Sequence, residues 1–409
     1  MPYHFFTLPN GLRIVHKKTS SSVAYCGVMI NAGSRDEETN KNGLAHFIEH
    51  ILFKETKKRK SFHINNRLES VGGEVNAFTT KEETCVYASF LNPYYDRTLE
   101  LFSDILFNSV FPEPEIEKEK KVVLEEINSY RDSPAEQIFD DFENMIFRHH
   151  PIGHFILGTP SSVRKISKKD IIRFTGKHYL PENMIISSCG NIEFPKLVKT
   201  VTRYFSGGPS AGSSSVRFCF KDYSPENKII KKKTWQAHSI IGNVAYSLKD
   251  NKRYSLSLLN NILGGPGMNS RLNVVLREKN GLTYNVESGY LPYSDTGAFH
   301  IYFGVEPASL GKTTDIILSE LKKLREQKLG PVQLKNAKRQ LCGQLAIHFE
   351  YNLNEVFAMA RELAVNNEII SLGQMTEIIY ELASTNLIET ANEIFSPDKL
   401  SILTYTPNK

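Results

Sequence analysis

Residues 46–50 read His46-Phe47-Ile48-Glu49-His50, preceded by Gly43-Leu44-Ala45 and followed by Ile51-Leu52-Phe53. Leu44, Ile48, Ile51 and Leu52 recur at helical spacing and predict a helix with one buried face. On that helix His46 and His50 lie one turn apart on a shared face. Two imidazoles in that relation suit a single ion, and zinc is the usual choice for paired His with a carboxylate. Glu49 borders the same face, where it could take a proton from a water in the site. The competing reading is two histidines on a half-buried helix beside a solvated Glu. The three fixed positions and the apolar flanks favour the metal reading.

A two-His zinc site needs a third protein ligand. The stretch Glu115-Ile116-Glu117-Lys118-Glu119-Lys120-Lys121-Val122-Val123-Leu124-Glu125-Glu126-Ile127 reads as a helix. Pro112 and Pro114 stand just ahead of it, and its first turn is acidic. Ile116, Val123 and Ile127 mark its apolar stripe. Glu119 and Glu126 are two turns apart and share a face, while Glu125 points about 100° away from Glu126. A lone Glu on such a helix is ordinarily solvated, so spacing alone does not single out a ligand.

H-x-x-E-H is the inverzincin signature. With its surroundings, the chain resembles the pitrilysin and mitochondrial processing peptidase family of zinc metallopeptidases. In that family a Glu some 76 residues after the signature completes the zinc site, and Glu126 falls 76 after His50. Glu119 matches a family Glu, seven residues earlier, that supports a ligand from behind. Other landmarks stand in order: Asn31-Ala32-Gly33-Ser34-Arg35-Asp36-Glu37, Phe53-Lys54-Glu55-Thr56 and Gly72-Gly73-Glu74-Val75-Asn76-Ala77-Phe78-Thr79. Many relatives carry Gly where this chain has Glu55. The resemblance runs the whole length of the chain.

The 409 residues are enough for two domains with large cores. A net charge of +5 is mild, and no long basic stripe points to nucleic acid. The run Lys57-Lys58-Arg59-Lys60 reads as a solvated loop. No stretch of 18 apolar residues predicts a membrane span. The start, Met1-Pro2-Tyr3-His4-Phe5-Phe6, has neither the basic nor the apolar region of a secretion signal. The five cysteines are scattered and form no C-x-x-C, so they read as buried thiols in a reducing compartment, the cytoplasm.

The chain reads as two halves of one fold. The first covers 1–205, ending at Tyr204-Phe205. Residues 206–224 begin with a Gly/Ser-rich stretch and form a linker, and 225–409 repeat the plan. Asp170-Ile171-Ile172-Arg173-Phe174 leads through Pro181-Glu182-Asn183 to Met184-Ile185-Ile186. Asn386-Leu387-Ile388 likewise leads through Ser396-Pro397-Asp398 to Leu400-Ser401-Ile402. A shift of 218 sets Ile116, Val123 and Ile127 on Leu334, Leu341 and Leu345, with Gln344 in the place of Glu126. The second half has no H-x-x-E-H, so it reads as a repeat without a metal site. Strands are expected at about 3–8 and 12–18 around the Asn10-Gly11 turn, at 23–30, and near 74–80 and 83–91, with helices between and after them. The fold class expected is α+β: two homologous domains, each an antiparallel-rich sheet packed against a layer of helices.

Other candidates are weaker. His149-His150-Pro151-Ile152-Gly153-His154 is a loop without a carboxylate pattern. Leu263-Gly264-Gly265-Pro266-Gly267 opens a helix but lacks both phosphate-loop fingerprints. The family resemblance implies that this loop touches substrate, and that Arg277 and Tyr284 contact bound peptide near the zinc. Without it, they read as a surface Arg and a packed strand Tyr. The resemblance also implies substrate backbone pairing along Glu74 to Thr79, with Asn76 and Ala77 at the contact.

The function expected is therefore zinc-dependent endopeptidase, with Glu49 as the base, zinc on His46, His50 and Glu126, and peptide as substrate. Relatives of this length enclose substrate between two chains, so a homodimer is expected, or a heterodimer with a related chain. No nucleic-acid or membrane partner is expected. The alternative is a non-catalytic assembly subunit, although such relatives usually lose zinc-site residues that this chain keeps.

Overall fold

A computed structural model describes residues 3–208 and 217–408; residues 209–216 of the linker lie outside the described residues. The first sheet has six strands: β1 (Tyr3–Thr7), β2 (Arg13–Lys18), β3 (Val23–Ile30), β4 (Glu74–Thr79), β5 (Thr84–Leu91) and β6 (Met184–Gly190), in the order β1-β2-β6-β3-β5-β4. The second has five: β7 (Asn227–Lys232), β8 (Ala237–Ala245), β9 (Asn285–Pro292), β10 (Gly297–Val305) and β11 (Ser401–Pro407), in the order β7-β11-β8-β10-β9. The two sheets share one plan. Among the described residues each has a single parallel pair, β2 with β6 and β7 with β11, and the other pairings are antiparallel. The first sheet adds β1, joined to β2 through the expected turn, where Gly11 takes φ +87°.

Between β3 and β4 lie α1 (Leu44–Leu52) and α2 (Ser61–Glu69). Five helices separate β5 from β6: α3 (Tyr95–Asn108), α4 (Glu113–Arg131), α5 (Pro134–Ile146), α6 (Pro160–Arg164) and α7 (Lys168–His178). The first half then ends in α8 (Phe194–Phe205). The second half repeats the pattern with α9 (Arg253–Gly264) after β8, then α10 (Leu310–Glu326), α11 (Pro331–Glu350), α12 (Asn352–Asn366), α13 (Leu372–Glu381) and α14 (Ser384–Ile394) between β10 and β11. The expected α+β class and the repeat are both borne out.

The compact units divide the chain differently from the repeat. One unit is Met1–Asn128, His154–Arg217 and Phe349–Ile369; the other is Ser129–Gly153, Phe218–His348 and Ile370–Lys409. The halves have exchanged a helix: α12 belongs to the first unit and α5 to the second.

In the first unit, strand alternation buries both faces of the sheet. Ala24, Cys26, Val28 and Ile30 of β3 face the core that contains Phe47, Ile48 and Ile51 of α1 and Ile116 and Val123 of α4. Met29, with Val15, Cys85, Ile185 and Cys189, faces Val356, Met359, Ala360 and Leu363 of α12. Charged groups hold α12 in place. Glu355 takes Lys17 and the Tyr3 hydroxyl, Arg361 pairs with Glu83, and Arg13 Nη1 donates to the Leu363 carbonyl at 2.8 Å.

In the second unit, Phe299, Ile301 and Phe303 of β10 face a core with α9, α10 and α14. Ala298 and Tyr302 face Ile138, Phe142, Met145 and Ile146, the apolar stripe of α5. Here α5 packs so closely that a Cβ on Gly242 would lie 2.7 Å from Phe142 Cζ.

Candidate metal centre

Helix α1 sits where expected, and its apolar side is fully used: Leu44, Phe47, Ile48, Ile51 and Leu52 are all buried. Each such side chain contributes about 1.5–3 kcal/mol on leaving water, so the helix is firmly held. Its remaining face carries His46 and His50. Helix α4 is anchored by buried Ile116, Val123 and Ile127 and turns Glu119 and Glu126 toward α1.

The three ligand atoms form a tight triangle. His46 Nε2 and His50 Nε2 are 3.3 Å apart, and Glu126 Oε2 lies 3.7 Å from the first and 3.5 Å from the second. Among the described residues, this is the one group of three His, Cys, Asp or Glu that could hold a metal. Tetrahedral zinc with bonds of about 2.0–2.1 Å sets its ligands about 3.3 Å apart, so the donor set and spacing fit zinc. The Glu126 side chain is 43 % exposed, which leaves one side of the site open.

The outer contacts of the histidines differ. His50 Nδ1 faces Glu119 Oε1 at 2.9 Å, which directs its Nε2 lone pair into the triangle. Glu119 is buried, and its other oxygen holds Lys54 Nζ at 2.7 Å. His46 Nδ1 is buried and has no hydrogen-bond partner among the described residues. The protonation of the two rings diverges accordingly. Burial, reinforced by the His50 charge, lowers His46 to about 4. Burial opposes charge on His50, but Glu119 and Glu126 outweigh it and raise that ring to about 9. Burial also raises the Glu49 carboxyl above the usual range. Glu49 is half-buried on α1 and is not one of the three ligands.

The remaining candidates lie elsewhere. Asn76 and Ala77 are on β4, the outermost strand of the first sheet, paired only with β5. In the second unit, Arg277 lies in a π-helical segment, Asn273–Glu278. Its guanidinium is 5.7 Å from the Tyr284 ring centroid, and its Nη1 is 3.5 Å from Met268 Sδ. Tyr284 is 91 % exposed rather than packed in the sheet. His150 Nε2 is 3.0 Å from the Phe218 carbonyl, and the His149–His154 loop contributes to no metal cluster among the described residues. Two contacts were not read from the sequence. Lys54, in the turn just past the end of α1, and Glu37, which receives the first amides of α1, carried no spacing signal.

Known proteins resemble this chain in sequence and in fold. Residues 13–160 match the insulinase family (peptidase family M16), and residues 165–341 match the family's domain described as the peptidase M16 inactive domain. An uncharacterized zinc protease of Bacillus subtilis (strain 168), YmxG, is 34% identical over 401 residues, covering 96% of each chain. One from Rickettsia bellii (strain RML369-C) is 34% identical over 397 residues, covering 96% of this chain and 95% of its own. Among solved structures, a protease from Helicobacter pylori shares the fold with a TM-score of 0.93 at 23% identity, covering 99% of both chains. A peptidase M16 inactive domain from Pseudomonas fluorescens gives 0.94 at 19% identity, covering 100% of this chain and 98% of that one. With the metal triangle and the doubled sheet, these matches identify the chain as a member of peptidase family M16.

Proposed function

We propose that the chain is a zinc-dependent endopeptidase that cleaves peptides or small unfolded proteins. The observation that carries this reading is the triangle of His46, His50 and Glu126 at zinc spacing, with Glu49 beside it. Zinc bound there would polarise the scissile carbonyl and acidify the attacking water. Glu49 takes the proton from that water and delivers it to the leaving amine, so one carboxylate serves as base and then acid. Glu119 keeps His50 oriented, and the open edge of β4 at Asn76 and Ala77 receives extended substrate backbone.

Arg277 and Tyr284 are assigned to substrate, contributed by the second chain of a homodimer. The exposure of Tyr284 and the π-helical setting of Arg277 support a binding role. All five cysteines are free; four are buried, while Cys219, expected to be buried, is exposed, and the free thiols support a reducing compartment, the cytoplasm. No helix among the described residues is long and apolar enough to cross a membrane.

Two measurements on the purified protein test the reading: zinc per chain by elemental analysis after reconstitution, and cleavage of a peptide library. One zinc per chain with library cleavage is expected. A protein that takes up no zinc, or holds it and cleaves nothing as a homodimer, overturns it.

A further inference from the structure

Helix α1 carries both histidines and Glu49, yet it has no capping side chain of its own. Its N-cap is Gly43, in the left-handed region at φ +91°, with no side-chain cap. No larger residue fits, because a Cβ there would lie 2.6 Å from the Leu157 carbonyl oxygen. The opening amides of a helix need acceptors from somewhere. Here they find Glu37, six residues upstream of Gly43. The Gly43 amide donates to Glu37 Oε2 at 2.9 Å, and the Ala45 amide donates to Oε1 at 2.8 Å.

Glu37 is only 7 % exposed, so this carboxylate is a buried part of the frame, not a surface cap. The loop between Glu37 and the helix is held as well. Leu44 donates to the Lys41 carbonyl at 3.2 Å, and Lys41 Nζ reaches Asp170 Oδ2 at 2.8 Å. Asp36, next to Glu37, receives Arg217 Nε at 2.9 Å.

We propose that Glu37 is a positioning residue for the metal centre. Ala45, one of its two donors, directly precedes His46. The carboxylate therefore fixes the first turn of α1 and with it the place of His46 relative to His50 and Glu126. His46 needs this support more than His50, because its Nδ1 has no partner among the described residues, whereas His50 is braced by Glu119. The inference rests on the zinc reading above.

The test compares Glu37→Gln and Glu37→Asp with the unaltered chain. Glutamine keeps one acceptor oxygen and turns an NH2 donor toward the other amide. Aspartate keeps the carboxyl group but is one methylene too short to reach both amides. Zinc dissociation constants are measured by chelator competition, and visible spectra are taken after Co(II) substitution. The expected result is zinc binding weakened about tenfold or more in Glu37→Gln, less in Glu37→Asp, with an altered cobalt spectrum in both. Variants that lose thermal stability but keep the wild-type zinc constant and cobalt spectrum would reduce Glu37 to a structural role and overturn the proposal. Should neither variant fold, amide exchange in the unaltered, zinc-free protein decides. Protection at Gly43 and Ala45 supports the proposal; exchange at unstructured rates defeats it. Failure of the unaltered chain to bind zinc at all would instead strike the peptidase reading, so the two failures are distinct.

Discussion

Glu119 stands between His50 and Lys54, one carboxylate oxygen 2.9 Å from the imidazole Nδ1 and the other 2.7 Å from the ammonium. It is buried, so neither contact is diluted by solvent. Glu119→Gln should leave the fold intact and weaken zinc binding by roughly 10–100-fold, the usual effect of losing an outer partner of a ligating His. Chelator competition measures this directly. An unchanged zinc constant would show that His50 needs no carboxylate behind it.

Glu49→Gln should separate binding from chemistry. Zinc content and peptide KM should stay near those of the unaltered protein, while kcat falls at least about 10²–10⁴-fold, as for loss of a general base. Steady-state kinetics together with elemental analysis give both halves of the comparison. Turnover that survives the substitution would remove Glu49 from the mechanism.

The assignment of Arg277 and Tyr284 to the second chain can be tested by mixing two inactive variants, Glu49→Gln and Tyr284→Phe. A mixed dimer then holds one site with both defects and one with neither. Activity should partly return on mixing. Continued inactivity, with subunit exchange proven by mass spectrometry, would exclude a shared site.

Residues 1–208 expressed alone should not fold to a native state, because α12 is missing. Val15, Met29, Cys85, Ile185 and Cys189 would lose their cover. Weak, non-cooperative unfolding and strong binding of a hydrophobic dye are expected, with rescue by co-expressed 209–409. A sharp, dye-free unfolding transition of the fragment alone would show that α12 is dispensable.

Gly43→Ala should cost more than about 1 kcal/mol, since the new Cβ faces the Leu157 carbonyl and φ is +91°. Urea unfolding gives the value. A midpoint equal to that of the unaltered chain would mean that the 157–158 backbone yields freely.

Much of this was open to reading, and the limits have physical causes. The helix at His46 was legible because its apolar residues repeat at one period over its whole length. The strands of the first half were legible from alternation and the Asn-Gly turn. Glu126 was not legible from periodicity, since it meets the histidines only through packing of α4 on α1, and it came from family resemblance instead. The exchange of α5 and α12 left no trace, because an apolar stripe tells which side of a helix is buried and not which sheet buries it. Glu37 escaped because familiar capping signatures span three residues, whereas its loop spans six. Tyr284 is a strand-like residue by composition, and only the fold reveals its exposure.

The exchange of helices also sets a schedule for synthesis. His46, His50 and Glu126 leave the ribosome in the first third of the chain, but α12, which closes the far face of their sheet, begins at Asn352. At about 5–20 residues per second, that gap lasts roughly 10–50 s. Until then the face built from Val15, Met29, Cys85, Ile185 and Cys189 lacks its cover. Helix α5 must likewise wait for β8 and β11, and β11 starts at Ser401. A growing polypeptide therefore carries His46, His50 and Glu126 long before it has a finished scaffold to hold them. A chain that stops midway therefore carries His46, His50 and Glu126 on a sheet whose far face, at Val15, Met29 and Cys85, has no cover.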